Sequence, residues 1–107
     1  MASDQDKELI YTIINDYIEC LKKNDIKLWR LYLYGSIAQN RDSKYSDIDL
    51  AVFLDKDDID GFEDDALLMK LTRGVDLRIE PHSFARTDFD ESDPFIREII
   101  TTGERIL

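Results

Sequence analysis

The chain is poor in the residues that staple, stiffen or loosen a fold. Its 107 residues include one cysteine, two prolines, four glycines, one tryptophan and one histidine. A single cysteine, Cys20, excludes an intrachain disulfide and suits a reducing compartment. No apolar run approaches the roughly 20 residues of a membrane span. The opening MASDQDKELI lacks the basic and apolar regions of a secretory leader, so the expected location is the cytoplasm. Positive charge is also scarce: 14 basic against 24 acidic residues leave a net charge of −10. Phosphate neutralisation dominates nucleic-acid affinity, so direct binding of DNA or RNA is not expected. An anionic ligand that arrives with a divalent cation remains compatible with such a chain.

What is present reads as one domain, residues 1–107, with enough chain for a single core. Residues 3–23 predict an amphipathic helix. Leu9, Ile10, Ile13, Ile14, Tyr17, Ile18 and Leu21 share one face, Ser3 and Asp6 form a capping pair, and Lys22 and Lys23 suit its end. KLWRLYLY, 27–34, predicts a strand that ends at Gly35; a short helix or turn begins at Ser36, followed by the polar loop 40–46. DIDLAVFL, 47–54, is the second predicted strand. A helix over 59–72 is expected to turn Ile59, Phe62, Ala66, Met69 and Leu71 inward and to stop at Gly74. VDLRIE, 75–80, predicts a third strand broken by Pro81. Asp93 and Pro94 open a last helix carrying Phe95, Ile96, Ile99 and Ile100; Gly103 closes it, and the final residues suit a short strand. The order αβαβαβα(β) describes a compact α/β or α+β domain, with no internal repeat.

The second strand poses a chemical problem. Side chains at i and i+2 of a strand share a face, about 6.6 Å apart. Asp47 and Asp49 therefore project together, while Ile48, Leu50, Val52 and Leu54 face the other way. Carboxylates on a core strand are costly unless paired, hydrogen-bonded or bound to metal. Two at this spacing converge on hard cations, which take oxygen ligands. If the third strand lies beside the second, Asp76 joins them, and a cation relieves the repulsion of three acids. Gly35 at a strand-to-helix junction lets backbone approach a ligand, and the Ser36 hydroxyl with the helix start suits phosphate oxygens.

Other features have plainer readings. DKDDIDGFEDD, 55–65, fails the EF-hand pattern, because Asp60 stands at loop position six and Ala66 at position twelve. It reads as a solvated loop and helix start. His82, at the end of the third strand, reads as a surface residue. Arg78 reads equally as an ion-pair partner of Asp76 or as a phosphate contact. Trp29, Tyr32 and Tyr34 read as core or interface aromatics, and Cys20 as packing.

Gly-Ser at 35–36, ten residues from Ile37 to Ser46, Asp-x-Asp at 47–49, and a later carboxylate in VDLRIE resemble the motif of the polymerase beta-like nucleotidyltransferase superfamily. The length and the closing FIREIITTGERIL resemble its minimal, or MNT, subfamily. The resemblance implies a small mixed β-sheet flanked by helices. It also implies transfer of AMP from ATP with two Mg²⁺ ions. By carry-over Asp47, Asp49 and Asp76 are the metal-binding catalytic residues, and Gly35 and Ser36 grip the β/γ phosphates. Many relatives have arginine directly after Gly-Ser, where this chain has Ile37; Arg41 or Lys44 is the substitute phosphate contact. Minimal members are often encoded beside a HEPN-type toxin and some act as its antitoxin, which implies modification of a toxin tyrosine in a complex of several chains. Two other functions stay open: neutralisation of the toxin by contact alone, and small-molecule transfer with a separate acceptor-binding subunit.

Overall fold

The structure, a computed structural model, describes residues 4–39 and 47–107, without the side chains of residues 4–6. The Ser3–Asp6 capping pair and the loop cations Arg41 and Lys44 lie outside what it describes. The elements are α1 (Asp4–Lys23), β1 (Leu28–Tyr34), α2 (Gly35–Ala38), β2 (Ile48–Leu54), α3 (Gly61–Thr72), β3 (Ile79–Ala85), a single 3₁₀ turn (Arg86–Asp88), α4 (Pro94–Thr102) and β4 (Glu104–Arg105). The strands form one mixed sheet in the order β3-β2-β1-β4. β1 runs antiparallel to β2 and β4, and β2 runs parallel to β3. Among the described residues no helix is long and apolar enough to cross a membrane.

Strand alternation divides the core in two. Leu31 and Leu33 of β1 and Ile48, Leu50, Val52 and Leu54 of β2 pack with α1 residues Ile14, Tyr17, Ile18 and Leu21 and with Leu68 of α3. Tyr32, Ala51 and Phe53 turn to the opposite face, where Ile96 and Ile99 of α4 cover them. One buried polar bond ties the first layer together: the Tyr17 hydroxyl donates to the Leu68 carbonyl at 2.8 Å. Burial pushes that phenol well above its ordinary pKa, so it stays a donor. Asp93 caps α4 by accepting from the Phe95 N–H, with Pro94 in the first turn, as the sequence predicts. Gly103 follows because nothing larger fits: a Cβ there would lie 2.8 Å from the Leu33 carbonyl oxygen and collide with that of Ile99.

Three expectations are corrected. On α1, Leu9 is exposed while the rest of the predicted apolar face is buried. On α3, Phe62, Ala66 and Met69 are exposed, and Leu68 and Thr72 face inward instead. That helix is apolar on two flanks, so spacing alone does not choose between them. It ends at Thr72 as expected but begins at Gly61, two residues later than expected, where Asp60 caps it by accepting from the Phe62 and Glu63 N–H groups.

The third strand runs 79–85, not 75–80, and contains Pro81 instead of ending at it. Proline lacks an N–H and is tolerated on edge strands where that side faces away from the sheet. β3 is such an edge. Ile48 N–H donates to the Arg78 carbonyl, and the outward N–H groups of β3 fall on the parity of Pro81. Each of those donors has a partner off the sheet: Ile79 donates to the Asp76 carbonyl, Ser83 to Asp65 and Ala85 to Asp88.

Candidate active site

β1 and β2 deliver the predicted residues to one end of the sheet. Tyr34, the last residue of β1, pairs with Asp49, and the chain then turns at Gly35 into the single-turn α2. Gly35 has φ +78°, a left-handed conformation that favours glycine. Space demands glycine as well: a Cβ would lie 3.2 Å from the Asp49 carboxyl carbon and collide with Oδ2. The Asp49 carboxylate thus rests against the backbone of the Gly-Ser turn. No side chain caps the start of α2, and Ser36 is half-buried beside it. Ile37, where many relatives have arginine, is buried in the α1/α3 core layer, so its side chain anchors the turn from below.

Asp47 is exposed just before β2, and Asp49 is half-buried. Burial raises the pKa of the Asp49 carboxyl most, and the charges of Asp47 and Glu80 raise it further, against a smaller lowering by His82. Asp47 and Asp49 are therefore brought together electrostatically, as the spacing predicts.

The acid in register with Asp49 is Glu80, not Asp76. The parallel register sets Ile48 against Ile79 and Asp49 against Glu80. Asp76 lies before β3, in a turn in which its Oδ1 accepts the Arg78 N–H at 2.8 Å. The expected alignment of Asp76 with the Asp pair through a strand at 75–80 does not form. Glu80 belongs to the same six-residue motif, and the strand begins four residues later than the sequence predicts. The apolar residues expected beside Asp76 differ accordingly: Leu77 is exposed, and only Ile79 is fully buried.

Three carboxylates from two adjacent strand ends form an oxygen-only donor set, the chemistry preferred by hard divalent cations. Burial raises the Asp49 pKa most and the charges of Asp47 and Glu80 raise it further; a cation would relieve that second part. Among the described residues no three acidic, histidine or cysteine side chains are placed closely enough to hold a metal ion by themselves. Asp47, Asp49 and Glu80 suit Mg²⁺ by donor type and charge alone, and a phosphate ligand or water would have to complete the coordination.

Next to this row stand three rings. Tyr34 packs edge-on against Phe95 of α4 at 6.1 Å between centroids and lies 6.4 Å from the His82 ring. Its phenol is pushed up to about 12 by burial first, then by the charges of Asp49 and Glu80.

A sheet end that holds a glycine turn against paired carboxylates defines a domain built to handle nucleotide phosphates. The chain belongs to the polymerase beta nucleotidyltransferase family, whose model matches residues 15–107, and it is a nucleotidyltransferase. No curated protein is matched. Among solved structures the chain is similar to a toxin–antitoxin complex with AMP-PNP, at 26% identity and TM-score 0.62, covering 87% of this chain and 71% of that one. It is also similar to a substituted form of the toxin–antitoxin pair MntA–HpeT, at 26% identity and TM-score 0.59, over 87% and 70% of the two chains. A doubly substituted form of that pair shares the fold at 24% identity and TM-score 0.60, over 87% and 71%.

Proposed function

We propose that this nucleotidyltransferase is the antitoxin of a toxin–antitoxin pair and acts by transferring AMP from ATP to a hydroxyl group, that of a tyrosine, on a HEPN-type toxin. The observation that carries the reading is the Asp49 carboxylate, set against Gly35 on one side and in register with Glu80 on the other. The family match and the similarity to toxin–antitoxin chains, one with AMP-PNP, support it.

In this reading Asp47, Asp49 and Glu80 hold Mg²⁺, and Gly35 and Ser36 receive the β/γ phosphates. Bound Mg²⁺ supplies charge compensation for the phosphates and for the attacking and leaving oxygens. The Gly35 backbone lies directly against the Asp49 carboxylate, so phosphates received at this turn would sit beside the acid that would hold the cation. Ile37 keeps that turn rigid by burial. The acceptor oxygen forms a bond to the α-phosphorus as the bond to the bridging oxygen of the β-phosphate breaks, and pyrophosphate leaves. A Glu80 oxygen takes the acceptor proton. Asp76, the acid carried over from the family motif, serves in this reading to shape the turn that leads into β3.

The test combines the purified chain, the toxin chain encoded beside it, Mg²⁺ and α-labelled ATP. Wild type is expected to label the toxin. Asp49→Asn and Glu80→Gln should each lose at least about 100-fold in transfer, and Asp76→Asn far less. Toxin silenced equally by wild type and Asp49→Asn, with no label moved, would establish neutralisation by contact and sink the transferase reading.

A further inference from the structure

The carboxylate row has two unlike flanks. On the β1 side lies the Gly35–Ser36 turn, with no bulky side chain above the backbone. On the β3 side, Glu80 is followed two residues later by His82, which shares its face of the strand and is exposed. In the sheet the next row reads Tyr32, Ala51, His82. His82 is therefore a diagonal neighbour of Asp49, and its charge is felt there. Its ring leans on Tyr34, and on another side of Tyr34 stands Phe95, 48% exposed although it sits at the start of a helix whose Ile96 and Ile99 are buried. An exposed phenylalanine and an exposed histidine thus flank one half-buried tyrosine beside the acids.

We propose that His82 and Phe95 form the acceptor subsite, holding the aromatic side chain of the partner whose phenolic hydroxyl receives the nucleotidyl group. The assignment rests on the transferase reading above. Aromatic rings stack or meet edge-on with gain beyond their buried area, so Phe95 and Tyr34 favour a ring over a sugar or an aliphatic alcohol. The His82 imidazole supplies a hydrogen-bond partner to orient the hydroxyl. The opposite flank, at the Gly35–Ser36 turn, is left to the triphosphate of the transferase reading. His82 is a positioning residue in this scheme, and Glu80 retains the proton-accepting role.

The experiment measures two quantities on full-length protein: affinity for Mg²⁺–AMP-PNP by calorimetry, and transfer from α-labelled ATP to the purified toxin at varied toxin concentration. For His82→Ala and Phe95→Ala, AMP-PNP affinity should stay within about twofold of wild type while the KM for toxin rises about tenfold or more. His82→Gln, which keeps an N–H donor, should recover part of the loss; a merely structural role would not show that rescue. His82 is exposed, so His82→Ala should keep the wild-type melting temperature; Phe95 also packs on Tyr34 and Phe84, so for Phe95→Ala cooperative unfolding above the assay temperature confirms the fold. Unchanged toxin KM, or AMP-PNP affinity lost in parallel with transfer, overturns the assignment while leaving the transferase reading intact. Wild type that binds AMP-PNP but labels nothing overturns both.

Discussion

Asp49 carries the conflict on which the site depends. Its carboxyl is pushed up by burial and by neighbouring acids, so the folded chain binds that proton more tightly than the unfolded chain does. Ionising Asp49 therefore costs stability. The loss begins as pH rises through the ordinary carboxylate range and is complete above the raised value. In metal-free buffer, Asp49→Asn should melt higher than wild type at pH 7, by a few degrees (about 2–5 °C). The gain should shrink as pH falls towards 4. Calorimetry at both pH values checks this; a gain independent of pH would remove repulsion as its cause. Gly35 shows the same economy of space, since a left-handed φ and the Asp49 oxygen against it leave no place for a Cβ.

At β3 the question is how an edge strand stays monogamous. Its outward N–H groups are absent at Pro81 or engaged at Ile79, Ser83 and Ala85, which leaves no row of free donors for a second chain. Asp65 of α3 is the strongest lock. Its Oδ1 accepts both the Ser83 N–H at 2.7 Å and the Ser83 hydroxyl at 2.6 Å. Ser83 is buried, so removing that acceptor leaves unsatisfied donors at about 1–3 kcal/mol. Asp65→Ala should lose stability on that order in urea unfolding. The same lock sets the position of β3 beside β2, and hence of Glu80 beside Asp49. Transfer activity should therefore fall more than the exposed location of the α3 N-terminus suggests. Full stability and activity in the variant would show that the β2–β3 ladder alone holds the register.

For the molecule as a whole, the dominant fact is a net charge of −10 around a site meant for a polyanion. In the proposed reading, ATP alone would meet carboxylates, and Mg²⁺ would cancel their repulsion. A ligand that binds only the native state at 100 times its dissociation constant stabilises by about 2.7 kcal/mol. The melting temperature should rise by about 10 °C or more with both ATP and Mg²⁺ at saturation, and by little with ATP plus a chelator. Equal shifts with and without Mg²⁺ would mean that the carboxylates do not act through a cation.

Much of this architecture is legible in local pattern. β1 and β2 are recognisable as runs of alternating apolar residues, α1 from its 3-and-4 spacing, and α4 from Asp93-Pro94 and its isoleucines. The Gly-Ser turn and the Asp47–Asp49 pair follow from those strands, because side-chain parity is a property of one strand and needs no partner. The identity of the third acid is not of that kind. Asp76 and Glu80 lie in one six-residue stretch, and both suit a polar strand face. The choice depends on pairing with β2, where Ile79 meets Ile48 with the whole of α3 between them in the chain. That register is held by contacts far apart in sequence, including Asp65 with Ser83 and the docking of α3 through Leu68. Likewise, α3 has two apolar flanks, and only packing against Tyr17 and the sheet buries Leu68 while leaving Phe62 in solvent. The alternation of a strand and the spacing of a helix are local periodicities. Register and the choice of buried face are long-range pairings, which exist only once the chain has closed on itself.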